Sequence, residues 1–359
     1  MRTKGVNYLS NLRKKKSKQK SIIYMESIIT NLFVFCIVLI IYIHIIQHTK
    51  QSSELEIYEL ENEHLHQLNE ILESLQPTLF EIQCDDSFTN KEIASCYHSF
   101  EIKVRDKNDL QSFDLLNNNH SELFLPIVFD DCMKLFQNNS KSNNYFSENN
   151  QEFLIETGLI KKLRNYDEVL RPPLVCYTYY DILFAPKSLV TPLRFHLNYR
   201  HFILVTEGCL KIRMTPPKNE KYLNPIYDYE NMEFRSLVDL WKTNEDFHPK
   251  VKCMEIDIEK GKIIYIPPFW WYTCRFETQN TTVVTFSYRT YLNKLTIAPY
   301  LFISMLQNHN VKRILSKTID TEETFISDNS TSSSFVTSSS LPHSSTASTS
   351  FDFHKLKTI

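Results

Sequence analysis

Three side chains carry most of the chemistry open to this chain. Arg194 and His196 lie in Thr191-Pro192-Leu193-Arg194-Phe195-His196, and Tyr272 follows Ile266-Pro267-Pro268-Phe269-Trp270-Trp271. Arg194 and His196 stand two apart in a strand-like segment, so alternation turns both toward one face. The imidazole of His196 can ligate a metal, although a hydrogen-bonded core histidine outweighs that reading. A guanidinium keeps its proton and has no lone pair to give, so Arg194 cannot ligate; it can pair with an acid or hold an anion. Tyr272 could bind iron only as phenolate, which a free pKa of about 10 makes costly. Trp270 and Trp271 read first as packing residues, and Thr191, Lys211 and Trp271 are candidates for a pocket wall. His201, five residues past His196 and opposite in strand parity, carries little weight. There is no phosphate-binding glycine loop, nucleophile elbow, HExxH or paired-carboxylate motif.

The elements that must position these groups are short and β-rich. Residues 176–184, 202–206, 210–214, 263–266 and 281–287 alternate or run apolar between turn signals, the pattern of a sandwich or barrel. The chain has only 4 glycines, and two of them, Gly208 and Gly261, fall at expected strand-to-strand turns. Glycine reaches positive φ at little steric cost, which tight turns often need.

Taken in order and spacing, Thr191-Pro192-Leu193, Thr215-Pro216-Pro217 and Tyr265-Ile266-Pro267-Pro268-Phe269-Trp270-Trp271 resemble the JmjC/cupin-like Fe(II)/2-oxoglutarate-dependent oxygenases. The resemblance covers Leu174 to Tyr291. It implies a mainly β fold, a double-stranded β-helix (cupin/jelly-roll) with flanking helices. It also implies where the chemistry would lie. Arg194, His196 and Tyr272 occupy the positions of that family's His, carboxylate and distal His metal ligands. Leu210 occupies the position of its co-substrate lysine, with Lys211 next door. Four functional positions thus depart together while the structural ones persist, which fits a retained fold with lost or altered chemistry. The expectation is a non-catalytic domain with a binding or assembly role and no cofactor. The alternative is a divergent protein hydroxylase using Fe(II) and 2-oxoglutarate, with His196, Tyr272 and an unidentified residue as ligands. Asp228, Asp239 and Trp241, with Val238-Asp239-Leu240, resemble the family's acidic and aromatic loop and bear on likeness alone.

The rest of the chain sets the surroundings. With 359 residues, 42% of them hydrophobic, it can bury a substantial core, and a net charge of −2 argues against a nucleic-acid surface. Ser27 to Ile46 is uncharged and long enough to span ~30 Å of hydrocarbon. A signal peptide is the competing reading, but no small-residue cleavage site follows. Residues 1–20 hold eight Lys or Arg and no acid, whereas residues 47–65 hold one Lys and five Glu. The positive-inside rule then makes this a single-pass type II membrane protein with its C-terminal part lumenal or extracellular. The sequence divides into a basic tail (1–26), a transmembrane helix (27–46), a helical stalk (47–77), the JmjC/cupin-like domain (78–326) and a Ser/Thr-rich tail (327–359). Leu65, Leu68, Leu72 and Leu75 give residues 52–76 a helix-seam rhythm that suggests self-association. Sequons begin at Asn119, Asn138, Asn280 and Asn329, and Cys84 with Cys96 could form a local bridge.

Overall fold

A computed structural model describes residues 24–43, 45–46, 52–61, 67–108, 124–137, 144–242 and 251–310. The basic run, Leu65, the sequons at 119, 138 and 329, and the Ser/Thr-rich tail lie outside these residues. Alternating apolar runs give fifteen strands among the described residues. They are β1 (Tyr58–Leu60), β2 (Thr78–Glu81), β3 (Glu101–Asp106), β4 (Leu125–Val128), β5 (Tyr145–Ser147), β6 (Val175–Ala185), β7 (Leu193–Phe195) and β8 (Arg200–Glu207). Then come β9 (Cys209–Thr215), β10 (Pro225–Asp228), β11 (Glu233–Ser236), β12 (Met254–Glu259), β13 (Lys262–Ile266), β14 (Trp271–Phe276) and β15 (Thr281–Thr290).

Eight of the strands build a jelly roll. β13-β8-β15-β6 are neighbours in one sheet and β7-β14-β9-β12 in the other, so the chain passes back and forth between two antiparallel layers. The first sheet is extended to nine strands by β1 and β2 at one edge and β5, β3 and β4 at the other; β10 and β11 extend the second to six. β8 is buried along nearly its whole length because both its faces are covered. Leu183, Ile203, Val205, Leu210, Ile212, Phe276 and Val283 meet between the sheets. Outside the larger sheet, Phe202, Leu204, Val284 and Phe286 pack against Leu163, Leu170, Phe129 and Phe153 of the flanking helices. Phe195, Phe234 and Trp271 form a third core on the outer face of the smaller sheet.

One partly exposed acid ties the helical layer to this roll. Asp167 accepts hydrogen bonds from the hydroxyls of Tyr180 on β6 and Tyr288 on β15, both at 2.7 Å. Asp167→Ala should lower stability by about 2 kcal/mol, since two phenols lose a charged acceptor. Asp167→Asn, which keeps one acceptor oxygen, should cost less, and urea denaturation midpoints will rank the two.

Three sequence expectations are corrected. The described residues of the expected 47–77 stalk, 52–61 and 67–77, do not form a continuous helix. Tyr58–Leu60 runs parallel to β2, and among the described residues of this region the α-helix is Leu68–Leu72. Leu68 and Leu72, read as a self-association seam, are buried in the domain's own core, so their spacing serves packing within the chain. The folded domain accordingly begins well before residue 78. Cys84 and Cys96 are unbridged, as are the other six cysteines. Cys84 donates toward the Val205 carbonyl, and Cys96 lies exposed on the helix Asn90–Tyr97.

The helix Tyr24–Ile43 is long and apolar enough to cross a membrane, a test that a signal sequence near the N-terminus also passes. Asn280 sits exposed in the β14–β15 turn.

Candidate functional site

Strand register stacks the wall of the barrel in layers. On β15, Val283, Thr285, Ser287 and Arg289 face inward opposite Leu183, Asp181, Tyr179 and Tyr177 of β6. From the other sheet Arg194 of β7 pairs with Tyr272 of β14, and Phe276 pairs with Leu210 of β9. These side chains enclose a cavity of about 470 Å³. Arg194, His196, Tyr272 and Leu210 all line it.

Arg194 is held by an acid the sequence reading did not single out. Its guanidinium donates to Glu148 at 2.7 Å, and Glu148 also pairs with Arg105. Arg105 in turn forks onto Glu233 at 3.0 and 3.1 Å. Arg105 and Glu148 are only 1% and 4% exposed. Burial alone would raise the Glu148 pKa, but Arg194 and Arg105 together outweigh it and hold the carboxyl ionised below its ordinary range. No cue in local sequence spacing links residues 105, 148 and 194, because strand pairing alone brings them together.

His196 and Tyr272 are joined by His201. The two imidazoles lie with ring centres 4.5 Å apart, and the Tyr272 hydroxyl is 3.4 Å from His201 Nε2. His201 Nδ1 shares a hydrogen with Ser287 Oγ at 2.8 Å. The sequence reading discounted His201 on strand parity. Residues 196–199, however, lie outside any strand, so alternation restarts at Arg200 and turns His201 inward. Burial, with the positive field of Arg194, pushes His201 down to about 3. His196 is also held well below its ordinary value, by burial first and then by His201. Neither of its buried ring nitrogens has a well-formed hydrogen bond. Burial lifts Tyr272 to about 12 against the pull of Arg194, so the phenol keeps its proton.

The Pro-Pro-Phe-Trp-Trp element supports this geometry from behind. Phe269 adopts φ 66°, a strained conformation for an aromatic residue, and its N–H donates to the His196 carbonyl at 3.0 Å. Trp270 is fully buried. The three pocket-wall candidates lie elsewhere. Lys211 points outward from β9 and pairs with Glu255 and Asp257, both at 3.2 Å. Trp271 packs on the outer face, 4.7 Å from the Phe195 ring centre. Thr191 clamps β14, accepting the Cys274 N–H at 2.9 Å and lining a separate small cleft.

The donor set departs from what an Fe(II)/2-oxoglutarate site needs. Such a site takes two imidazoles and a carboxylate on one face of the metal. The cavity offers two neutral imidazoles and a neutral phenol, while its carboxylates are otherwise engaged: Glu148 by two arginines, Glu233 by Arg105, and Asp181 by the backbone N–H groups of Asn149, Asn150 and Ile182. Arg194 places a permanent cation where the first ligand would stand. Among the described residues no three His, Cys, Asp or Glu side chains converge. Leu210, only 1% exposed, makes the expected co-substrate position apolar. The residues present do not fit iron and its co-substrate.

Two comparisons bear on the class of protein. Residues 177–331 match the Cupin family model. The chain is also similar to "Lysine-specific demethylase JMJ30" of Arabidopsis thaliana, 32% identical over 103 residues, covering 28% of this chain and 24% of that protein. The chain thus spans about a quarter of the length of the curated relative it matches. Match, likeness and strand order together support a cupin/JmjC-like domain for the barrel.

Proposed function

We propose that this is a membrane-anchored cupin/JmjC-like domain that binds a ligand or partner and does not oxidise it. The observation that carries the reading is the Arg194–Glu148 ion pair, which fills the first metal-ligand position with a cation neutralised from within the fold. The apolar helix Tyr24–Ile43 supplies the anchor. The excess of Lys and Arg before it and of Glu after it supports a cytoplasmic N-terminus and a lumenal or extracellular barrel.

A second reading, a divergent Fe(II)/2-oxoglutarate protein hydroxylase, is favoured by one observation. His196, His201 and Tyr272 meet in one cavity, and both imidazoles are neutral. Anaerobic Fe(II) loading of the full chain separates the two, with iron content and 2-oxoglutarate consumption read on the same sample. Iron near background and no consumption are expected. Stoichiometric iron with 2-oxoglutarate turnover would sink the non-oxygenase reading, and His196→Ala and His201→Ala would then identify the ligands.

A further inference from the structure

Among the described residues, the cavity wall carries one guanidinium without an acid. Arg105, Arg194 and Arg235, which also line the cavity, each have a carboxylate oxygen no more than 3.9 Å away. Arg289 pairs with no carboxylate among the described residues. Its Nε donates to Asn198 Oδ1 at 2.7 Å, and its guanidinium carbon lies 5.1 Å from the Tyr177 ring centre. The two terminal nitrogens remain as a fork of the geometry that matches a carboxylate. Beside this fork, His196 presents ring nitrogens shut off from solvent and without a well-formed hydrogen bond.

The cavity is also graded in polarity. Tyr177, 41% exposed and opposite Arg289 in register, marks the solvent end. Inward along β15 and β6 the wall passes Ser287 and Tyr179, then Thr285 and Asp181, and ends at Val283 and Leu183. Phe276 and Leu210 close the far end from the other sheet. Six residues of strand separate Arg289 from Val283, roughly 20 Å. The cation without an acid partner is therefore at the mouth and the apolar surface at the floor.

We infer that the cavity takes a small organic monocarboxylate, its carboxylate forked on Arg289 and its uncharged body directed toward the floor formed by Leu183, Leu210, Phe276 and Val283. This rests on the non-oxygenase reading, because an iron site would occupy the same space. A dicarboxylate has the wrong distribution of charge. Its second carboxylate would meet either the apolar floor or the stretch of wall where Arg194 and Arg105 are already paired with Glu148 and Glu233 and Asp181 adds a further acid.

The test titrates hexanoate, hexanamide and adipate into the full chain in lipid nanodiscs, with heats from empty nanodiscs subtracted. Hexanoate should bind at least ~10-fold more tightly than hexanamide or adipate, since a charge-assisted fork is worth a factor of that order. Arg289→Gln should reduce hexanoate to the level of the amide, while Arg289→Lys retains part of the difference. The melting temperature of each variant reports whether it folds, and the comparison of three ligands on the wild-type protein does not depend on any variant. Adipate binding as tightly as hexanoate, hexanoate binding unmoved by Arg289→Gln, or no hexanoate binding up to ~10 mM would each overturn the inference. Iron content and 2-oxoglutarate consumption of the same preparation judge the underlying reading separately. A protein without iron that also ignores hexanoate refutes the ligand and leaves the non-oxygenase reading standing.

Discussion

Glu148→Gln should lower the stability of the domain by about 3 kcal/mol, because it strips the charge from a carboxylate shared by two enclosed guanidiniums. Arg105 keeps its fork on Glu233, so the orphan is Arg194, whose Nε also lacks a partner. Arg194→Met in the Glu148→Gln background should recover part of the loss, since it removes the unpaired cation and leaves apolar volume. The pH dependence has a definite sign. The Glu148 pKa is depressed in the folded state, so its contribution is full above the unfolded value of about 4.3 and fades as pH falls through the lower folded value. The Gln variant should lose that acid slope. Urea denaturation of the wild-type, single and double variants between neutral and acid pH measures both effects. A single variant as stable as wild type would show that the network does not hold the barrel wall.

Gly208→Ala should cost about 3 kcal/mol, whereas Gly261→Ala should cost about 1 kcal/mol, although both glycines turn one strand into the next at nearly the same φ. Gly208 has φ +85° and Gly261 φ +88°, so the backbone penalty is shared. The surroundings differ. A Cβ on Gly208 would come within 2.4 Å of Thr278 Oγ1, 2.6 Å of Thr281 Oγ1 and 3.0 Å of Thr281 Cα. One on Gly261 finds nothing nearer than the Ile82 carbonyl at 3.8 Å. Thr278 also accepts the Cys209 N–H and shares a hydrogen with Thr281, so the clash cannot be relieved without losing those bonds. Equal denaturation midpoints for the two variants would mean that the β14–β15 turn yields freely.

Local pattern and long-range pairing divide what could be read in advance. The strands of the roll carry alternating or continuous apolar runs, and Gly208 and Gly261 mark turns by a conformational need visible in one residue, so the mainly β architecture was legible. The Leu68 and Leu72 spacing was misread because a helix seam looks the same whether it meets another chain or the chain's own core. His201 was hidden by a different limit. Parity arguments hold only while the strand continues, and the break at residues 196–199 resets them. Arg105, Glu148 and Arg289 carry no motif at all. Their roles arise from pairings such as β3 with β5 and β15 with β6, which no local window contains.

The pairing of β1 with β2 has a mechanical meaning if Tyr24–Ile43 is seated in a bilayer. Because Ser52 and Ser53 already take hydrogen bonds from Gln76 and Lys218 and Tyr58 is stitched into the sheet, only five residues separate Ile46 from the domain, a reach of at most ~20 Å. Such a leash confines the barrel to a thin layer above the lipid. Partners held in the same membrane would meet it at high effective concentration, and weak contacts would then suffice for lasting association.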